Sequence, residues 1–163
     1  MDGGISLKIE GNDVLNSFFT HLTNTAARKD LLSSIGQEGV SLTQDRFQNQ
    51  AGPDGTPWLQ SLRAKLVSGQ TLIKSNRLAS SFTFAATDQA VEWGTNVIYA
   101  GIHQFGGIIK PKSKKALKFK GADGRIHTVK QVTIPARPFL GVTESDQKEF
   151  IEVFNDWLKG AMI

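Results

Sequence analysis

Apolar and polar residues alternate along Ile5-Ser6-Leu7-Lys8-Ile9, the period of a half-buried strand. Gly11-Asn12-Asp13 breaks that period, and Asn12 or Asp13 is placed to cap a helix beginning at Val14. Val14, Leu15, Phe18, Phe19 and Leu22 fall on one face of that helix. A second helix is expected from about Arg28 to Asn49, with Leu31, Leu32, Ile35, Val40, Leu42 and Phe47 as its apolar side. Gly36 and Gly39 each cost about 1 kcal/mol against alanine in a helix interior, so a bend is expected there. Pro53-Asp54-Gly55 is a turn: proline presets φ and glycine accepts positive φ. Trp58, Leu59 and Leu62 are expected to return to the core. A loop around Val67–Gln70 and one short helical turn within Asn76–Ser81 follow.

Phe82-Thr83-Phe84 and Val91-Glu92-Trp93 alternate on either side of Thr87-Asp88-Gln89 and predict an antiparallel hairpin that ends at Gly94-Thr95-Asn96. Ile98 to Phe105 has apolar residues near helical spacing, and Gly106-Gly107 stops that short helix. Ala116–Lys120 and Ile126–Ile134 flank Gly121-Ala122-Asp123-Gly124, and Asp-Gly is a strong hairpin signal. A long exposed hairpin arm over residues 110–133 is therefore expected. Pro135-Ala136-Arg137-Pro138-Phe139-Leu140-Gly141 reads as a stiff turn. Glu144-Ser145-Asp146 opens a last helix with acids near its positive end. Phe150, Ile151, Val153, Phe154, Trp157 and Leu158 are its expected buried side. The sum is a single α+β domain over residues 1–163: a mostly antiparallel sheet, with packed helices at both ends of the chain.

Composition narrows the function classes. The chain has 39% hydrophobic and 21% charged residues, an ordinary globular balance. It has no cysteine, which removes disulfides, thiolate catalysis and cysteine-ligated metals. Met1-Asp2-Gly3-Gly4 is not a secretory n-region, and no apolar run approaches the roughly 20 residues of a membrane span. A soluble protein made in the cytoplasm is expected. The formal charge of +4 is mild, so its placement matters more than its sum. From Ile108 to Thr133 the basic residues are Lys110, Lys112, Lys114, Lys115, Lys118, Lys120, Arg125 and Lys130, against Asp123 alone. Such a hairpin is a solvated flap, a grip on nucleic-acid phosphates, or a dock for an acidic protein surface. Phe119 is its only aromatic ring besides histidine, which supports base stacking poorly.

Residues that carry chemistry do not converge in the sequence. His21, His103 and His127 stand in no metal-binding spacing, and His103 reads as a structural histidine of a core helix. There is no phosphate-binding glycine loop and no nucleophile elbow. Asp54 and Asp88 sit in turns, where aspartate commonly bonds nearby backbone. No catalytic, metal or cofactor residue is expected, and the chain is not expected to be an enzyme. A small hydrolase remains the weakest of the three function classes, behind a structural protein and a DNA-binding protein that uses the basic hairpin.

A set of short motifs gives the chain its most specific signal. Arg46-Phe47 is followed by Pro53-Asp54-Gly55 with Trp58 and Leu62, then Leu72, Leu78 and Ser81. Gly94-Thr95-Asn96, Tyr99-Ala100 and His103-Gln104-Phe105-Gly106-Gly107 come next, and Ile134-Pro135-Ala136-Arg137-Pro138-Phe139-Leu140-Gly141 closes the series. In this order and spacing, from about Leu31 to Leu158, the chain resembles the phage virion morphogenesis family, which groups tail-completion proteins of phages like Mu and P2. A shorter pattern of the same kind marks a wider set of phage neck and tail-joining proteins. The resemblance implies a structural protein of the virion tail or neck, assembled in the bacterial host cytoplasm, that completes the tail and joins it to a filled head. Related proteins commonly work as rings, often six-fold. The implied partners are copies of itself, other tail or neck proteins and packaged DNA, with no membrane. Tyr99, His103, Phe105, Gly106, Arg137, Pro138 and Phe139 form the motif. Prolines hold Arg137 in extended backbone, so its guanidinium can bind a carboxylate or carbonyls within the subunit or across an interface, with Tyr99, Phe105 and Phe139 beneath it. The other reading is that this motif simply closes the core.

Overall fold

The computed structural model describes residues 4–10, 25–113 and 115–161. The N-terminal alternation forms strand β1 (Ile5–Glu10). The expected hairpin forms β2 (Thr83–Ala86) and β3 (Ala90–Thr95). β3 lies between the other two, antiparallel to both, with Leu7 opposite Trp93, Ile9 opposite Val91 and Phe84 opposite Trp93. This register puts Leu7, Ile9, Phe84, Val91 and Trp93 on one face, while Ser6, Lys8, Glu92 and Thr83 face solvent. β3 runs through Gly94 into Thr95, two pairings further than the sequence suggests, because Ser6 and Ile5 extend β1 opposite Gly94 and Thr95.

Helix α1 (Thr25–Asn49) packs on the apolar face. It is uninterrupted, contrary to the bend expected at Gly36 and Gly39. The two glycines serve the packing instead. A Cβ on Gly36 would lie 2.6 Å from the Phe84 ring and 2.7 Å from Val91, and one on Gly39 would lie 2.6 Å from the Trp93 indole. The missing side chains let helix and sheet approach closely enough for two large rings to fit beneath. The expected helix from Val14 to Leu22 lies outside the described residues.

Gln50, at φ 56°, ends α1, and its side-chain amide donates to the Phe47 and Thr71 carbonyls and accepts from Thr71 N. Asp54 bonds Thr56 N and Oγ1, as expected of a turn aspartate. Trp58 then enters the core, but Leu59 and Leu62 do not: they are 62% and 78% exposed. Helix α2 (Leu62–Leu66) is a single turn capped by Ser61, and Ala64 is the residue it buries. So short a helix has one inward face, which leaves no second apolar position to hide. A 3₁₀ turn, Ala79–Ser81, precedes β2.

Helix α3 (Ala100–Phe105) leads into β4 (Gly107–Ile109). The chain returns through β5 (Leu117–Lys120), β6 (Ile126–Val129) and β7 (Val132–Ile134). Helix α4 (Glu144–Ala161) packs on α1, with Phe150 against Trp93 at 5.9 Å and Trp157 Nε1 donating to Asp30. Phe150, Val153, Phe154, Trp157 and Leu158 are half-buried as expected, whereas Ile151 is 58% exposed. Among the described residues, four helices on small antiparallel sheets make an α+β fold.

Alanine at Gly39 sets two effects against each other. Helix propensity gains about 1 kcal/mol, but overpacking against a rigid indole costs about 1–3 kcal/mol. Gly39→Ala should therefore lower stability, while Gly160→Ala in α4, whose Cβ meets nothing within 4 Å, should raise it slightly. Urea denaturation midpoints of the two variants check the pair of signs.

Candidate functional site

Residues 135–141 cross the molecule without joining a sheet. Pro135 and Pro138 keep the backbone extended and withhold two donors. Where the segment dives inward, Phe139 is fully buried and Leu140 is 8% exposed. Their backbone groups must find partners away from water. Gln104, on α3, supplies most of them: its Oε1 accepts from Phe139 N at 2.9 Å and Leu140 N at 3.0 Å, and its Nε2 donates to the Leu140 carbonyl at 2.8 Å. Trp58 Nε1 donates to the Pro138 carbonyl at 2.8 Å. Arg46 Nη1 donates to the carbonyls of Phe139 and Gly141 at 2.9 and 3.1 Å.

The other end of the Arg46 guanidinium forms a buried ion pair with Asp146 at 2.8 Å. Asp146 also caps α4 reciprocally: its Oδ2 accepts from Thr143 N and Oγ1, and its own N–H donates to Thr143 Oγ1. Above the strip, four rings interlock: Phe47 lies 5.3 Å from Trp58 and 5.2 Å from Phe139, and Phe82 lies 5.6 Å from Phe139.

The motif residues divide by depth. Phe139 belongs to the core, and Pro138 is exposed. Gly106, at φ 69°, sits where a Cβ would lie 2.7 Å from Ala136 N, which admits no side chain. Arg137 is 5% exposed; its N–H donates to the His103 carbonyl at 2.7 Å and its Nε to the Leu59 carbonyl at 2.8 Å. Arg137 thus binds carbonyls within the subunit. His103 packs edge-on against the half-exposed Tyr99 at 6.0 Å. Burial, and then the nearby Arg137 charge, hold the His103 imidazole below its ordinary pKa. Phe105 does not pack beneath Arg137: it is 74% exposed, because helical spacing turns it away from the Gln104 side of α3.

The basic segment departs from the single long hairpin that was expected. Its pairing falls into two short antiparallel ladders, β4 with β7 at the root and β5 with β6 at the tip. Pro111 lacks the N–H a ladder needs, and the lysines crowded around it favour separation over pairing. At the tip, Gly121 N donates to the Arg125 carbonyl and Gly124 adopts φ 76°. Lys110, Lys112, Lys115, Lys118, Lys120, Arg125 and Lys130 are all exposed, and Lys114 lies outside the described residues. Asp123 is engaged with His127 at 3.0 Å, a bond that holds its carboxyl below the ordinary range. Phe119 stacks on His127 at 5.7 Å. His21 also lies outside the described residues.

Four residues of this arrangement, Gln104, Trp58, Arg46 and Asp146, stand outside the motif read as a site. Arg46 and Asp146 fix the strip from α1 and α4; the Thr143-x-x-Asp146 spacing signals a helix cap but not its ion pair. Gln104 is the cleanest test of the strip. Gln104→Leu would strand two buried N–H groups and a carbonyl, each worth about 1–3 kcal/mol when unpaired. The expected loss is about 3 kcal/mol in urea denaturation. A loss under about 1 kcal/mol would mean that water satisfies the strip instead.

Comparison with known proteins places these features. Residues 9–159 match the phage virion morphogenesis family. The chain is 30% identical over 156 residues to Mu-like prophage FluMu G protein 2 of Haemophilus influenzae, an alignment covering 95% of this chain and 96% of that protein. No solved structure matches. With a family match across nearly its whole length and the motif residues forming its central strip, the chain belongs to the phage virion morphogenesis family.

Proposed function

We propose that the chain is a structural, non-catalytic subunit that completes the phage tail and joins it to a filled head, working as a closed ring at the head-proximal end. The observation that carries this reading is family membership across residues 9–159, with a prophage relative aligned nearly end to end. The structure supports it in two ways. A ring needs one surface patch to meet a different patch on the neighbour, and Phe105 and Ile108, 74% and 55% exposed, offer apolar contact at the root of the basic segment. The segment itself projects cations that suit an acidic neighbour. Electron microscopy of lysates from the parent phage lacking this gene should show full heads beside separate tails of normal length. Overlong tails would assign it to termination of tube growth, and intact infectious particles would refute a role in joining.

A second reading is DNA binding by the same segment. It is favoured by the exposure of every described lysine of the segment and by the engagement of its single acid with His127. Replacing Lys115, Lys118 and Lys120 by glutamine should then weaken DNA binding regardless of sequence. It should also reduce the slope of log affinity against log salt by about 2–3. Fluorescence anisotropy with duplex DNA from low to moderate salt measures both, and absence of binding at low salt would dispose of this reading.

A further inference from the structure

The chain between α2 and the 3₁₀ turn folds over the outer side of His103 and Arg137 and leaves a pocket of about 350 Å³. Arg63, Lys74, Arg77, Arg137 and His103 all line it, and among the described residues no acidic side chain does. Arg63 is committed to the loop, its Nη2 donating to the carbonyls of Gln70 and Ile73, yet its charge remains. Arg137 spends only Nε on Leu59; among the described residues neither of its terminal nitrogens has a hydrogen-bond or ion-pair partner. Lys74 and Arg77 are exposed and likewise unpaired among the described residues. His103 Nδ1 is buried with no hydrogen-bond partner.

This is an unusual concentration of unmet positive charge. Arg137 is only 5% exposed as a residue, and its neighbours in the pocket are further cations rather than a counter-charge. Elsewhere the same chain answers a buried arginine with a carboxylate: Arg46 has Asp146. Arg137 has none. We infer that the pocket is an anion site, and that its ligand is a carboxylate carried by a partner polypeptide.

The geometry separates a carboxylate from a DNA phosphate. The two free terminal nitrogens of Arg137 form a planar fork that matches a carboxylate bidentately. They lie recessed, where a thin side chain reaches and a duplex backbone, being convex and wide, would stop at Lys74 and Arg77 on the rim. Leu72, Leu78 and Tyr99 give the pocket apolar walls that suit the methylenes of an acidic side chain. Leu62, next to Arg63 in sequence, is 78% exposed and offers apolar contact suited to a protein partner. That the partner is a virion protein rests on the joining role proposed above; the site and its ligand class do not.

The test uses the isolated full-length protein, so its outcome is independent of whether the chain joins heads to tails. Arginine Nε–Hε and histidine ring signals are followed by NMR at constant ionic strength. Three monoanions are titrated: N-acetylglutamate α-amide, N-acetylalanine and dimethyl phosphate. The expected result is saturable shifts at Arg137 and His103 with a carboxylate probe, tighter than with dimethyl phosphate, and a rise in the His103 pKa as the anion screens Arg137. The glutamate and alanine probes distinguish a side-chain carboxylate from a chain terminus. Arg77→Gln and Lys74→Gln remove unpaired surface charges, so the fold should persist. Each should weaken carboxylate binding about threefold to tenfold, the effect of losing one charge-assisted contact. Tighter binding of dimethyl phosphate would overturn the ligand class. Shifts that never saturate, or that are unchanged in both variants, would overturn the site.

Discussion

An extended backbone that crosses a protein interior without a strand beside it has nowhere to send its N–H and C=O groups. In this chain the strip from Arg137 to Gly141 is such a backbone, and side chains from three distant elements answer it: Gln104 from α3, Arg46 from α1 and Trp58 from the turn after α1. Each answer constrains its owner in turn. Gln104 can bond Phe139 and Leu140 only if α3 stops beside the strip. Gly106 permits that stop by turning at positive φ against Ala136. Arg46 can reach two carbonyls only because Asp146 balances it, and Asp146 is in place only because it caps α4. One unmet polar segment thereby fixes the relative positions of α1, α3 and α4. Removing a partner leaves a buried charge or amide without solvation, far costlier than the net worth of the bond itself.

The same strip links interior to surface. Phe139 faces the ring cluster with Phe47, Trp58 and Phe82, while two residues earlier Arg137 faces the pocket beside His103. The root ladder pairs Gly107 with Ile134, directly between α3 and the strip. The basic segment therefore grows from the most constrained part of the molecule. Its own pairing is slight, two ladders of three and four residue pairs, so its position depends on this root more than on its internal bonds.

Much of the fold was legible because periodicity and burial agreed. Ile5–Ile9, the two halves of the β2–β3 hairpin, α3 and α4 all sit where alternation or helical spacing puts them. The failures share a cause: local pattern does not report what lies opposite. Gly36 and Gly39 read as weak points of a helix and are instead the places where Phe84 and Trp93 fit. Leu59, Leu62 and Ile151 read as core and are exposed, because one helical turn or one helix face had already met its neighbour. In the site, Arg137 and Gln104 were visible as motif letters, but not that one faces a pocket and the other a buried backbone. The pocket itself draws Arg63 from α2 and Lys74 and Arg77 from the stretch before the 3₁₀ turn, residues that no sequence pattern brought together.

Charge follows the same division. The segment from Ile108 to Thr133 holds eight of the 19 basic residues and one of the 15 acidic ones, so the remainder of the chain is acidic by three. The modest net charge of +4 is thus a difference between a strongly positive segment and a mildly negative remainder. Within the proposed ring, copies packed head to tail would set one subunit's basic segment against the remainder of the next. Copies packed face to face would set like charges together. Electrostatics of this kind selects among arrangements and speeds encounter more than it adds affinity. The affinity would fall to the apolar contacts of Phe105 and Ile108, which lie at the root of the basic segment next to the strip.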